Sequence, residues 1–427
     1  MRQYKDSGIE WIGKIPDTWD IKRLKEIFVE RNNRDAKGKT LLSVSQYYGI
    51  KPKAETDIAD SHVAESYDDY KVVEKGDFVM NIMLAWNGSY AVSDYEGIVS
   101  PAYCVYQFRK DCCHKYLHYL LRTDGYQTAF KTMSRGIIDS RLRLYPEQFY
   151  TFNTIFPPVS EQQRIADYLD EKCGEIDSLI GLQEHMIEKL KAYKQSFITE
   201  AVTKGLDPNA KLVPSGINWI GEIPEGWEVI KTKYIADKIF KGNGITKEEV
   251  FIDGDIPCVR YGEIYSKYTQ AFKTCFSATN LDIQKSPQYF HYGDILCAGT
   301  GELVEEIGKS IVYLGDQECL AGGDIIVIRH HQDPSFLNYA LNSNYAQTQK
   351  SRGKAKLKVV HISAFEIGST YILLPPLSEQ KTIASYLNEK CADIDRLIEI
   401  KQQKIEKLKD YKKSVIYEAV TGKIDII

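Results

Sequence analysis

Two short segments concentrate cationic side chains. SRGIIDSRLRLYP supplies Arg135, Arg141 and Arg143, and QKSRGKAKLKVVH supplies Lys350, Arg352, Lys354, Lys356, Lys358 and His361. Lys354, Lys356 and Lys358 alternate, so an extended backbone would hold three ammonium groups on one face. Such a face can track a phosphate backbone. It can equally be a charged edge strand that resists sheet-to-sheet pairing. The same Ser-Arg-Gly introduces basic residues in both places, which favours nucleic acid. Tyr47, Tyr48 and Trp86, with Arg260 and Tyr261 further on, lie in turn-rich stretches where they could stack on bases or hydrogen-bond to them. In a chain with 29 tyrosines, packing is the default role for any one of them.

Residues that would carry out a reaction are harder to find. KGKT at Lys37 ends like a phosphate loop, but Asn33 stands where that loop needs glycine. AGTGE at Ala298 is a lone fragment of a dinucleotide fingerprint. There is no HExxH, no GxSxG, and no aromatic-terminated N/D-P-P-Y/F segment able to hold a flipped base. The nine cysteines are scattered, and Cys112-Cys113-His114 lacks metal-ligand spacing. A nuclease carboxylate cluster stays open, since acids are plentiful. The expectation is a non-catalytic chain with no catalytic and no metal-binding residues.

The elements that must position the basic segments are written twice. SGIEWIGKIPDTWDIKRLKEI from Ser7 returns as SGINWIGEIPEGWEVIKTKYI from Ser215. FPPVSEQQRIADYLDEKCGEIDSLI from Phe156 returns as LPPLSEQKTIASYLNEKCADIDRLI from Leu374. KGDFVMNI and YGDILCAG also align, as do the two Ser-Arg-Gly triplets, while the rest of each half diverges. The double prolines close each divergent region, Ser160 is a good N-cap, and Glu161 suits the first turn of a helix.

Beyond the prolines a stripe recurs four and three residues apart: Ile165, Leu169, Cys173, Ile176, Ile180, Gln183, Ile187, Leu190, Lys194. The second copy repeats it with Ile383, Leu387, Cys391, Ile394, Ile398, Lys401, Ile405, Leu408, Lys412. A sustained heptad stripe with charged flanks predicts a coiled coil. A helix of about 44 residues spans roughly 65 Å, more than a small domain needs. The two copies are therefore expected to pair antiparallel, with Gln183, Lys194, Lys401 and Lys412 fixing register. The outer faces are either solvated or receive helices of another protein. The expected fold is α+β: two globular heads joined by two long antiparallel coiled-coil helices, a pseudo-twofold internal repeat. The boundaries are 1–155, 156–206, 207–373 and 374–427. TLLSVS, SPAYCVYQF, DIIVIRH and STYILL read as strands, and HKYLHYLLRTDGYQTAF and PSFLNYALNSNYAQTQK as helices.

With 427 residues, 43% hydrophobic and 27% charged, the chain can build several cores. It has no long apolar run and no leader-like start, which suggests a cytoplasmic protein. The net charge of −4 excludes a polycation and leaves nucleic-acid binding to local patches.

The duplicated PPxSEQ helices, the SGIxWIGxIPxxW openings and GIVSPAYCVYQF at Gly97 together resemble the specificity subunit of Type I restriction-modification systems, along the whole chain. The resemblance implies two target-recognition domains, each reading half of an asymmetric bipartite target in double-stranded DNA. It implies that the helices space the half-sites and dock two modification (methyltransferase) subunits. Restriction subunits (translocase and nuclease) would join them. The cofactors S-adenosylmethionine, ATP and Mg would sit on those partners and none on this chain. Two other readings compete: a single-chain DNA modification enzyme with an unrecognised site, and a DNA-independent coiled-coil scaffold.

Overall fold

A computed structural model describes residues 2–34, 37–56, 67–109, 111–138, 141–217, 220–251, 253–301, 303–354 and 359–426. The chain divides into two compact units, Met1–Gln183 with Gln403–Ile427, and Glu184–Gln402.

In the first unit an antiparallel sheet runs Phe28–Arg31, Tyr103–Phe108, Phe78–Asn81, Tyr90–Val92. Its central strands are apolar on both faces, as a sheet covered on both sides requires. Phe78, Met80, Tyr90 and Tyr106 pack with Phe130 and Phe149 of the helical layer. Val79, Ala91 and Val105 pack with Leu42, Val44 and Ile50 of the hairpin Leu42–Ser45/Gly49–Pro52. The second unit follows the same logic with more strands. A five-stranded sheet runs Ala236–Lys241, Ile325–His330, Ile295–Ala298, Ser310–Tyr313, Ala271–Phe272. Ile326 and Ile328 face one core, while Ile325 and Val327 face another.

The repeated Gly-Asp pairs prove to be buried turn locks. The Asp77 carboxylate accepts the Glu74 N–H at 2.9 Å and meets Arg31 at 3.3 Å. Asp294 accepts the His291 N–H at 3.0 Å and holds Arg329 at 2.9 Å. Each of the two expected helical segments breaks once: His114–Leu121 then Asp124–Met133, and Pro334–Asn342 then Asn344–Ser351. Asp333 and Ser343 cap the latter two, accepting the Phe336 and Ala346 N–H groups.

The two long helices are Val159–Lys204 and Leu377–Val420. Ser160 is not the N-cap. Glu161 and Gln162 both donate their N–H to the Pro158 carbonyl at 2.9 Å, so the helix starts directly after the prolines and Ser160 lies in its first turn. The Ser-Glu-Gln triplet has another task. Glu161 accepts the Trp19 indole N–H at 2.9 Å and pairs with Arg2. Gln162, fully buried, donates to the Pro157 carbonyl and accepts the Cys113 N–H. In the second unit Glu379 takes the Trp227 indole at 3.1 Å, and Gln380 bridges the Pro375 carbonyl and the Asp333 N–H. The strands before the prolines pair with the strands after each tryptophan, Asn153–Phe156 with Asp20–Arg23 and Tyr371–Leu374 with Glu228–Lys231. Each helix is thus welded to its unit at its first turn.

Each unit also contains a crossing between the long helices. Lys412 reaches Asp177 at 2.7 Å in the first, and Lys194 reaches Asp395 at 2.7 Å in the second. Tyr116 donates to the Val420 carbonyl in the first unit, and Lys401 lies 3.2 Å from the Met186 sulfur in the second. Along the stripe Ile165, Leu169, Ile176, Ile187, Ile383, Leu387, Ile394 and Ile405 are buried, and Ile180, Leu190, Ile398 and Leu408 half-buried. No helix among the described residues is long and apolar enough to cross a membrane.

Candidate nucleic-acid interface

The first basic segment is a hairpin at the end of the helix Asp124–Met133. Ser134 closes that helix by donating its hydroxyl to the Phe130 carbonyl at 2.7 Å. Arg135 and Arg143 then exchange backbone hydrogen bonds, both 2.9 Å, as an antiparallel pair. Directly opposed residues of such a pair project from the same face. Gly136 has φ +152, and a Cβ there would sit 2.6 Å from the Arg141 carbonyl oxygen, so the two strands close only over glycine. Buried Leu142 and Leu144 anchor the return strand, and the Leu144 N–H bonds the Ile82 carbonyl at 2.9 Å. The outcome is a ribbon with a fixed base whose Arg135, Arg141 and Arg143 are all exposed. On its outgoing strand, past Gly136, Ile137 is 100% exposed and Ile138 53%.

Trp86 is half-buried beneath Lys131, whose ammonium lies 5.1 Å from the ring centroid, and its indole N–H donates to the Met83 carbonyl. Tyr48 bonds Ser43 through its hydroxyl and faces Lys51 at 5.7 Å, whereas its neighbour Tyr47 is 86% exposed. Arg122 ties these loops together by donating to the Gln46, Gly88 and Tyr90 carbonyls.

The second basic segment is divided differently. Lys350 is buried, and its ammonium donates to the Gly308 carbonyl at 2.8 Å. Burial pulls its pKa down to about 8. It packs under Gly308 and cannot reach a phosphate from there, which corrects the expectation for this residue. The cause is that the helix Asn344–Ser351 turns this position inward. Lys354 is engaged as well: it donates to the His361 carbonyl and pairs with Glu366 at 2.8 Å. Burial raises the Glu366 carboxyl, but Lys354 and the Ser363 N–H and hydroxyl outweigh it and hold the pKa low. Arg352 is exposed, and Lys356 and Lys358 lie outside the described residues. Arg260 and Tyr261 border a cavity of about 440 Å³ with Lys247 and the backbone of Gly244 and Gly323. The Arg260 Nε is buried and has no hydrogen-bond partner among the described residues, and Tyr261 is exposed.

These side chains can neutralise phosphates and present polar or apolar groups to bases. Among the described residues no group of three His, Cys, Asp or Glu is placed to hold a metal ion. The Cys112 thiol is pushed up to about 12 by burial, the opposite of a reactive thiolate. Sequence reasoning did not single out Ile137, which the fold leaves fully exposed beside the hairpin arginines. Its one signal was an Ile-Ile pair between Gly136 and Asp139, β-branched residues where turn residues are usual.

The model of the Type I restriction modification DNA specificity domain matches twice, over residues 16–192 and 224–410. The MjaVIII specificity subunit of Methanocaldococcus jannaschii is 26% identical over 100% of this chain and 98% of its own. A chain from a structure of the type I R-M system, concerned with complex assembly and conformational transition, superposes with TM-score 0.71 at 18% identity, covering 96% of this chain and 99% of that one. The HsdS subunit from Thermoanaerobacter tengcongensis gives TM-score 0.50 at 18% identity over 96% of this chain and 98% of its own. With both matched segments carrying the repeated tryptophan–Ser-Glu-Gln joint, the chain belongs to the Type I restriction-modification DNA specificity family.

Proposed function

We propose that this chain selects an asymmetric, bipartite sequence in double-stranded DNA and brings modification and restriction subunits to it. As a specificity subunit it is itself non-catalytic. The observation that carries the bipartite reading is the double family match over segments whose basic regions differ: an arginine hairpin in one, a lysine-rich stretch in the other. Residues 1–155 and 207–373 serve as target-recognition domains, and 156–206 and 374–427 as an antiparallel coiled-coil spacer in a pseudo-twofold repeat. Register is supported by Lys412–Asp177 and Lys194–Asp395, ion pairs at equivalent positions.

Partner docking is supported by apolar residues left exposed at matching helix positions. Leu179, Leu182 and Tyr411 lie in the first unit, and Leu397, Ile400 and Tyr193 in the second. Two copies of one modification subunit, each bearing S-adenosylmethionine, suit two such equivalent faces. ATP and Mg belong to the restriction subunits, and the assembly works in the cytoplasm.

Mapping adenine methylation in host DNA with and without this gene tests the reading. A motif of two unlike half-sites separated by a fixed gap is expected to vanish with the gene. Loss of no motif, or of a palindrome, overturns it. Methyl transfer by the isolated chain would instead favour the single-chain enzyme.

A further inference from the structure

The hairpin at the end of the helix Asp124–Met133 has two features that cost stability in an isolated protein. Arg135 and Arg143 stand directly opposite one another, a like-charge pair that destabilises a two-stranded ribbon. No ion pair to an acid is formed by Arg135, Arg141 or Arg143 among the described residues. Ile137, two residues beyond Arg135, puts a β-branched apolar side chain wholly into solvent beside half-exposed Ile138. Both features fit one occupant. A polyanion relieves the arginine repulsion, and an apolar group between its charged strands receives the isoleucine. Duplex DNA offers both, because its major groove admits a two-stranded ribbon between phosphate walls and displays the thymine methyl as its apolar feature.

We propose that the ribbon on which Arg135 pairs with Arg143 meets the major groove of the first half-site, with Arg135 and Arg143 on phosphates and Ile137 against a thymine C5-methyl. This rests on the DNA-reading function above and adds to it a named contact and base. Rigidity supports the assignment: the base of the ribbon is fixed by Gly136 packing on Arg141 and by the Leu144–Ile82 hydrogen bond, so Ile137 is held out at little entropic cost on binding.

The test uses the full chain assembled with its modification subunits and duplexes bearing the mapped motif, with each thymine of the first half-site replaced in turn by deoxyuridine. Losing the contacted methyl should weaken wild-type binding by about fivefold, the low end for one discriminating base contact. Ile137→Ala should bind the thymine duplex as weakly as wild type binds that deoxyuridine duplex, and should be insensitive to the replacement. Arg135→Ala should weaken binding to all duplexes alike and lower the salt slope by about one. If no single replacement affects wild type, or if Ile137→Ala responds to it as wild type does, the contact is overturned, as it is by a half-site with no thymine. Failure of the wild-type assembly to distinguish its motif from a scrambled duplex would instead sink the DNA-reading function itself.

Discussion

Lys350 shows how one side chain can belong to a basic motif and yet serve the core. Its ammonium is held by the Gly308 carbonyl inside the second unit, and burial lowers its pKa to about 8 from the ordinary 10.5. Between those values the unfolded chain holds a proton that the folded chain has lost, so Lys350 makes stability rise with pH across that window. The full difference amounts to ~3 kcal/mol, at up to ~1.4 kcal/mol per pH unit. Below about pH 8 both states carry the charge and the burial cost is constant. Lys350→Met should therefore remove the slope: the difference in denaturation free energy between wild type and variant should change between pH 8 and 10 and stay flat from pH 6 to 7.5. An unchanged difference across pH 8 to 10 would show that the ammonium is not desolvated. Sequence pattern could not separate Lys350 from Arg352. They stand two apart in the same charged run, and only the helix Asn344–Ser351 sends one inward and leaves the other exposed.

Element by element, the long helices were legible because heptad periodicity is local, and the buried stripe from Ile165 to Ile405 follows it. Their starts were less so. Ser160 has the right residue type for a cap, but the double proline sets the first turn, and Glu161 and Gln162 spend their side chains on Trp19, Pro157 and Cys113. Those partners are distant in sequence, so no local pattern announces them. The ion pairs between the helices are partly exposed and should be weak individually. Asp177→Lys, which opposes Lys412, should destabilise the first unit by about 1 kcal/mol, and Lys412→Asp added to it should recover most of that loss. Urea denaturation of the four chains of this cycle measures the coupling. A coupling near zero would make the pair incidental and leave register to the apolar stripe alone. Gln162→Leu tests the joint differently. It strips the Cys113 N–H of its buried acceptor and should cost ~2 kcal/mol, more than the ion pair.

At the scale of the whole molecule, what the duplication leaves alike and what it lets diverge carry different duties. The tryptophan–glutamate joint, the buried glutamine and the helix stripe recur in both units, while the sheets differ in strand number and the basic segments in residue type. The divergent parts could be assigned a general role from sequence but not a geometry, because their strands pair across long separations that periodicity does not encode. If the helices are the ruler between half-sites, their length should be transferable to the target. Inserting seven residues into each, at Gln183 and at Lys401, preserves the heptad stripe and adds about 10 Å of helix. At about 3.4 Å per base pair that corresponds to a gap longer by roughly three base pairs. Methylation mapping in cells carrying the lengthened chain should then recover both half-sites unchanged with that wider gap. Those three base pairs also rotate one half-site by about a third of a turn, which a rigid assembly resists. The ruler therefore predicts either the wider motif or an assembled complex that no longer modifies DNA. Continued methylation of the original motif would mean that the gap is set elsewhere, by the heads or by the partner subunits.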